Sequence, residues 1–379
     1  MPMHQDLILP IPDHGSLRGV RYGTSVHIFL GVPYALPPVG PRRWQKTIPL
    51  PPDFSYGTEG NPYDCTKFGP ICPQPNYMMN GKSLSAVQGP SVRCPKSHLH
   101  LPIVVFSKSL TLVQASEDYL LLNIWTPASG RQSEDGWPVY VWLHGGWLQM
   151  GNPCHTPHSD PWELIDETSA DLKAIVIAVG YRLNIFGFLA EQGVDGSADA
   201  LEWVRDHISA FGGDLYHITL GGLSVGALST HYQLQYELLN GAGSVPLFRK
   251  IFMCSNAISV QPKSIQESNL QLKDVFDVFN IDSLLSVQEK IDCLRNVPSN
   301  NLIAKFSSLR LDTFRPVTDG DFVTSDMLKL LRDGTVVRLF KDRGMRIMIG
   351  ETESEVGQVS TAMGKYGANI LRAPHVLTN

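Results

Sequence analysis

The chain has 379 residues, 43% of them hydrophobic and 18% charged, with a formal net charge of −5. This is the composition of an ordinary soluble globular protein with enough length for a large core. The mildly acidic balance excludes a charge-driven partnership with nucleic acid or with anionic membranes.

Reading from the start, "MPMHQDLILPIPDHGSL" has no basic segment leading into a long apolar run, so no secretory signal is expected. No later stretch approaches 18 uninterrupted apolar residues. The nearest, "LHLPIVVFSKSLTLV" at 99–113, is too short and carries a lysine, so no membrane span is expected either. The six cysteines include no C-x-x-C pair, which argues against a metal or thioredoxin-like site and for a reducing, cytoplasmic location.

Residues 17–35 read as short strands around a Gly-Thr-Ser turn. Proline-rich irregular chain follows from Pro37 to Pro75. "PVYVWL" (138–143) is an apolar strand that runs into His144-Gly145-Gly146, and "AIVIAV" (174–179) is a second buried strand. In "ALEWVRDHISAFGG" (200–213), Leu201, Val204, Ile208 and Phe211 recur at helical spacing, with Gly212-Gly213 as the stop.

"ITL" (218–220) is a strand feeding the pentad Gly222-Leu223-Ser224-Val225-Gly226, and "ALSTHYQLQYELL" behind it reads as a helix. "KIFMCS" (250–255) and "MRIMIGE" (345–351) are two further strands. Between them "LSVQEKIDCLRNV" carries Ser286 and Glu289 at capping-box spacing and is a helix. Buried strands alternating with helices predict an α/β fold, with a central, mostly parallel sheet covered by helices on both faces. Active sites of such sheets gather at the carboxyl ends of the strands.

The G-x-S-x-G pentad is the pattern of a nucleophile elbow. A sharp strand-to-helix turn exposes the Ser224 hydroxyl, and the glycines make room for crossing backbone. A buried turn serine is the plainer alternative. Acyl transfer also needs backbone N–H donors aimed at the developing oxyanion. "WLHGGWLQMGN" (142–152) supplies an H-G-G turn after a strand, upstream of the serine. Gly145, Gly146 and Trp147, together with Val225 after the serine, form the candidate oxyanion hole. The plainer alternative is a tight turn with His144 hydrogen-bonded inside it.

Ordered segments spread along the chain carry a resemblance. They include "FLGVPYALPPVGPRRW" (29–44), "KFGPICPQP" (67–75), "SEDYLLLNIWTP" (116–127), "YRLNIFGFLA" (181–190), "RPVTDGDF" (315–322) and "IGETESEVG" (349–357). With the H-G-G loop and the pentad, they make the chain similar to the type-B carboxylesterase/lipase family, in particular its soluble fungal members. The resemblance implies a single α/β-hydrolase domain over 1–379, incomplete at its C-terminus, with residues 92–114 as an atypical insertion. It also implies hydrolysis of small-molecule carboxylic esters, with no cofactor and no metal.

By the same resemblance Ser224 is the nucleophile and Glu355 the triad acid, with Glu351 and Glu353 as neighbouring carboxylates. The family's histidine follows the acid at a distance. Here the only histidine after Glu355 is His375, in "RAPHVLTN", whose surroundings do not match. His144 and His155, on or near the oxyanion loop, and His231, on the helix after the serine, do not match the family's base either. The alternative function is therefore a catalytically impaired or non-catalytic hydrolase-like binding protein. The family's disulfide partner for Cys72 is replaced by Tyr119, which implies a free thiol, and a family segment between Leu189 and Ala200 is missing. Trp147, Tyr181 and Phe186 suggest an apolar substrate pocket, with core packing as the alternative.

Overall fold

The computed structural model describes residues 4–23, 25–75, 78–79, 82–83, 114–128, 135–154, 161–165, 173–189, 196–241, 243–255, 262–320, 322–324 and 326–351. Residues 92–114, apart from Gln114, lie outside the described residues.

The chain opens with three antiparallel strands, β1 (His4–Ile11), β2 (Gly15–Tyr22) and β3 (Val26–Pro33). Strands β2 and β3 pair with Tyr22 opposite Val26, as the short-strand pattern predicts. Two short strands, β4 (Gly57–Thr58) and β5 (Asn61–Asp64), extend this edge, and β6 (Met78–Met79) pairs with β7 (Lys82–Ser83) in a separate ribbon. The main frame is β8 (Leu121–Pro127), β9 (Trp137–Leu143), β10 (Ile175–Val179), β11 (Gly213–Leu223), β12 (Lys250–Cys254) and β13 (Arg346–Gly350).

The sheet order is β13-β12-β11-β9-β10-β8-β3-β2-β5-β4, with β1 beside β2. The expected mostly parallel sheet is in fact mixed. From β13 to β10 every pairing is parallel, whereas β10–β8, β8–β3 and β3–β2 are antiparallel. Parallel neighbours need long crossovers, usually helical, as between β9, β10, β11, β12 and β13, whereas the short turns joining β1 to β2 and β2 to β3 give antiparallel neighbours.

The helices are α1 (Trp162–Ile165), α2 (Asn184–Phe188), α3 (Ser197–His207), α4 (Val225–Asn240) and α5 (Ile265–Val278). They continue with α6 (Val287–Arg295), α7 (Ser299–Ala304), α8 (Met327–Arg332) and α9 (Thr335–Asp342). The capping box expected at Ser286 forms, with Ser286 Oγ accepting from the Glu289 N–H and the Glu289 carboxylate accepting from the Ser286 N–H. The helix predicted over 200–213 is α3 followed by a 3₁₀ turn, and it stops at Gly212. Among the described residues no helix is long and apolar enough to cross a membrane.

Central strands are buried on both faces, which is why β8 and β10 lack alternation: every residue of each is buried. Asn123 is the polar exception inside β8. Its side chain accepts from the Gly31 N–H (2.9 Å) and donates to the Pro153 carbonyl (3.0 Å), so its burial leaves no polar atom orphaned. Cys72 is a buried free thiol whose Sγ donates to the Pro73 carbonyl (3.8 Å), and burial pushes the thiol up to about 12. Tyr181 and Phe186 belong to the core, so core packing, not a substrate pocket, accounts for them.

Lys263, at the entry to α5, is buried among neutral acceptors. Its ammonium donates to the Phe188 carbonyl (3.3 Å) and to Gln271 Oε1, and lies 6.0 Å from the Phe314 ring centre. Burial, aided by the charge of Arg315 and opposed by Glu267, pushes Lys263 down to about 7. Between that value and the unfolded value near 10.4, the unfolded chain binds a proton that the folded chain lacks, so stability rises with pH across this window. Below it both states are charged and the penalty is fully present. Lys263→Met is therefore expected to be more stable than the parent at pH 6, by roughly 1–3 kcal/mol, and to lose that advantage by pH 10. Urea titrations at pH 6, 8 and 10 check this; an advantage that does not shrink with pH would contradict it.

Candidate active site

The site is built where β11 hands over to α4. Ser224 is the single residue between them, at φ 57° and ψ −121°, a conformation of neither strand nor helix. Its backbone is pinned from both sides. The Ser224 N–H donates to the Cys254 carbonyl at the end of β12 (2.8 Å), and the Ser224 carbonyl accepts from the Ala227 and Leu228 N–H groups (3.0 and 3.2 Å). The side chain caps nothing in the helix and is half-buried. Its hydroxyl is thus held up by backbone strain rather than consumed by local structure.

The glycines at 222 and 226 exist because three backbones meet there. A Cβ on Gly222 would stand 2.3 Å from the Gly226 carbonyl carbon, and one on Gly226 would stand 2.0 Å from the Leu143 carbonyl oxygen. Neither position has space for a side chain, so this pentad is a packing requirement and not a chance cluster of small residues. Val225 opens α4, and its N–H is one of the helix's four orphan donors, where the macrodipole adds positive potential.

Strand β9 pairs with β11 in parallel, Leu143 opposite Gly222, and this delivers the 144–151 loop beside the elbow. A Cβ on Gly145 would lie 3.3 Å from Ser224 Cβ. Gly146 has φ 119°, and Trp147 and Leu148 follow in the left-handed region at 57° and 62°. A side chain on Gly146 would put its Cβ 2.0 Å from the Met150 carbonyl. The Gly146 carbonyl accepts from the Gln149 and Met150 N–H groups, both at 3.0 Å. Because the peptide is planar and trans, the Trp147 N–H must point the opposite way, away from those two donors.

The histidines are placed unequally. His144 stacks on Tyr181, with ring centres 4.3 Å apart, and its Nδ1 lies 2.8 Å from the Gly145 carbonyl. That is the turn-stabilising role rather than a catalytic one. His231 sits seven residues beyond Ser224 on α4, roughly 10 Å along the axis, too far for a hydrogen bond. Burial pushes its imidazole down to about 4, so it is neutral at pH 7. Among the described residues no imidazole hydrogen-bonds Ser224 Oγ. Glu351 is exposed at the end of β13, where the Gly350 carbonyl accepts from the Ser255 N–H (2.8 Å). His155, Glu353, Glu355 and His375 lie outside the described residues.

Residue-type patterns alone did not flag the polar side chains that fasten the loop. The Gln74 amide brackets Gly151, donating to its carbonyl (2.9 Å) and accepting from its N–H (2.8 Å). Asn184, fully buried at φ 46°, donates its N–H to the Leu148 carbonyl (2.6 Å) and its amide to the Gln149 carbonyl (3.0 Å). Their only signal was an unusual amide in an otherwise apolar run. Among the described residues no group of three or more His, Cys, Asp or Glu is placed to hold a metal ion.

Comparison with known proteins gives a consistent picture. The carboxylesterase family model matches residues 5–370. An uncharacterised esterase/lipase of Schizosaccharomyces pombe is 36% identical over 364 residues, 92% of this chain and 62% of that protein. A carboxylic ester hydrolase of Gibberella moniliformis is also 36% identical, over 92% of this chain and 59% of its own length. Among solved structures, a PNB esterase superposes with a TM-score of 0.70 at 27% identity, covering 93% of this chain and 64% of that one. The chain thus spans about 60% of the length of these relatives.

Proposed function

This chain belongs to the carboxylesterase family, and from that premise we propose that it cleaves carboxylic esters through an acyl-enzyme on Ser224. The observation that carries the proposal is the elbow itself: a strained serine between β11 and α4, with the Gly145–Trp147 loop packed against it. Ser224 Oγ attacks the ester carbonyl carbon while its proton passes to a general base, a role suited to an imidazole oriented by Glu355. The carbonyl oxygen becomes an oxyanion and accepts hydrogen bonds from the Gly146, Trp147 and Val225 N–H groups, with Gly145 leaving room for it. The alcohol departs with the proton. Water then attacks the acyl-serine, releasing the acid and restoring the hydroxyl.

The half-buried Trp147 flanks the hole and offers an apolar wall to the acyl or alcohol part of a small ester. A fluorophosphonate probe tests the proposal directly, because it reacts with a serine only where a hole stabilises the attacked centre. The purified chain is expected to take one label, mapped by peptide mass spectrometry to the peptide holding Ser224. A label elsewhere, or none, would refute the assignment.

A further inference from the structure

We propose that Gln149 is the positioning residue of the oxyanion hole, splinting the loop that carries its donors to a fixed backbone segment at 309–318. The inference deepens the esterase proposal and rests on it. Gln149 is only 6% exposed, and every polar atom of its side chain is used. Its amide nitrogen donates to the Trp147 carbonyl (3.0 Å) and to the Phe314 carbonyl. Its amide oxygen accepts from the Phe314 N–H (3.2 Å). The side chain therefore pairs with Phe314 as a strand would, and reaches back to the residue whose N–H is a hole donor.

The far end of this splint is itself immobilised. The buried Asp274 carboxylate accepts from the Arg310 and Leu311 N–H groups (2.7 and 3.0 Å). The Gln271 amide donates to the Leu311 and Thr313 carbonyls (2.6 and 3.2 Å). Phe314 is thus a fixed post, and Gln149 transfers that rigidity to a loop run that includes four positive φ angles, at Gly146, Trp147, Leu148 and Gly151. Such conformations persist only where the surroundings over-determine them. Without the splint, the Trp147 carbonyl loses its side-chain donor and the loop loses its tie to Phe314, so the Gly146–Trp147 peptide that aims the Trp147 N–H is held less tightly. A donor off target by about 1 Å stabilises the transition state far less, while ground-state binding is barely touched.

The test is ester hydrolysis by Gln149→Met, which keeps length and burial but cannot hydrogen-bond, and by Gln149→Glu, which keeps shape and loses the donors. Active sites are titrated to endpoint with a fluorophosphonate, so that only folded, reactive molecules are counted. Both variants are expected to lose about 10–100-fold in kcat per titrated site, with KM within about two-fold of the parent, and to label more slowly by a similar factor. A purely structural role would lower the titrated fraction and leave kcat per site unchanged, and that outcome in either variant overturns the inference. A parent chain that neither labels nor turns over would overturn the underlying esterase proposal, and this inference with it.

Discussion

Ser224→Ala is expected to reduce p-nitrophenyl ester turnover to the background that the hole and binding alone supply, while leaving the urea unfolding midpoint unchanged. The two halves of this expectation have separate causes. The hydroxyl is the only nucleophilic atom the elbow presents, and what survives its removal is the assistance of the hole and of binding. Stability is spared because the side chain caps nothing in α4, and alanine carries the same Cβ into the same strained backbone. Ser224→Gly supplies the complementary result. It is equally inactive, yet it is expected to be more stable than Ser224→Ala by about 1 kcal/mol, because glycine tolerates φ 57° without the steric penalty. A Ser224→Ala variant that kept a tenth of the activity would place the nucleophile elsewhere.

Arg43→Ala is expected to cost about 3–5 kcal/mol of folding stability, although Arg43 takes no part in the proposed chemistry. Arg43 is 5% exposed, and its guanidinium joins three parts of the chain. Nε and Nη2 grip both oxygens of Glu117, the Nε contact at 2.6 Å. Nη1 donates to the carbonyls of Leu294, Arg295 and Val297 (3.2, 3.1 and 2.7 Å), which closes the C-terminus of α6. Truncation leaves the Glu117 carboxylate and the Arg295 and Val297 carbonyls without this donor, while the Leu294 carbonyl keeps the Val297 N–H, and stranded buried groups are more expensive than the bonds they lose. The double variant Arg43→Met/Glu117→Leu removes both charges, so its loss should fall well short of the sum of the single losses. Urea denaturation followed by tryptophan fluorescence measures all three; a single-variant loss under 1 kcal/mol would contradict the expectation.

What the sequence by itself determined was local. The Ser286–Glu289 box, the Gly212 stop, the strands at 138–143 and 250–254, and the pentad with its flanking strand and helix all follow from rules that act within a few residues. Ser264 and Glu267 form a second box in the same way, at the start of α5, with the same Ser-x-x-Glu spacing in the sequence. Strands β1 and β8 were harder. One is an edge interrupted by Pro10; the other is buried on both faces and so has no alternation to read. Ordered motifs identified the family, and they point to the proposed serine because a strand-turn-helix elbow leaves a contiguous trace.

Only the tertiary structure decided what joins distant segments. Glycine at 226 is required by the Leu143 carbonyl, Arg43 by Glu117 and the end of α6, and Gln149 by the Phe314 backbone, 165 residues away. No pattern in a window of the sequence encodes these partners, since each depends on which backbone the sheet order brings alongside. The serine proposed to offer the reacting atom was legible from its neighbours. The residues that hold the site in shape were not, because what they hold is far away in the chain.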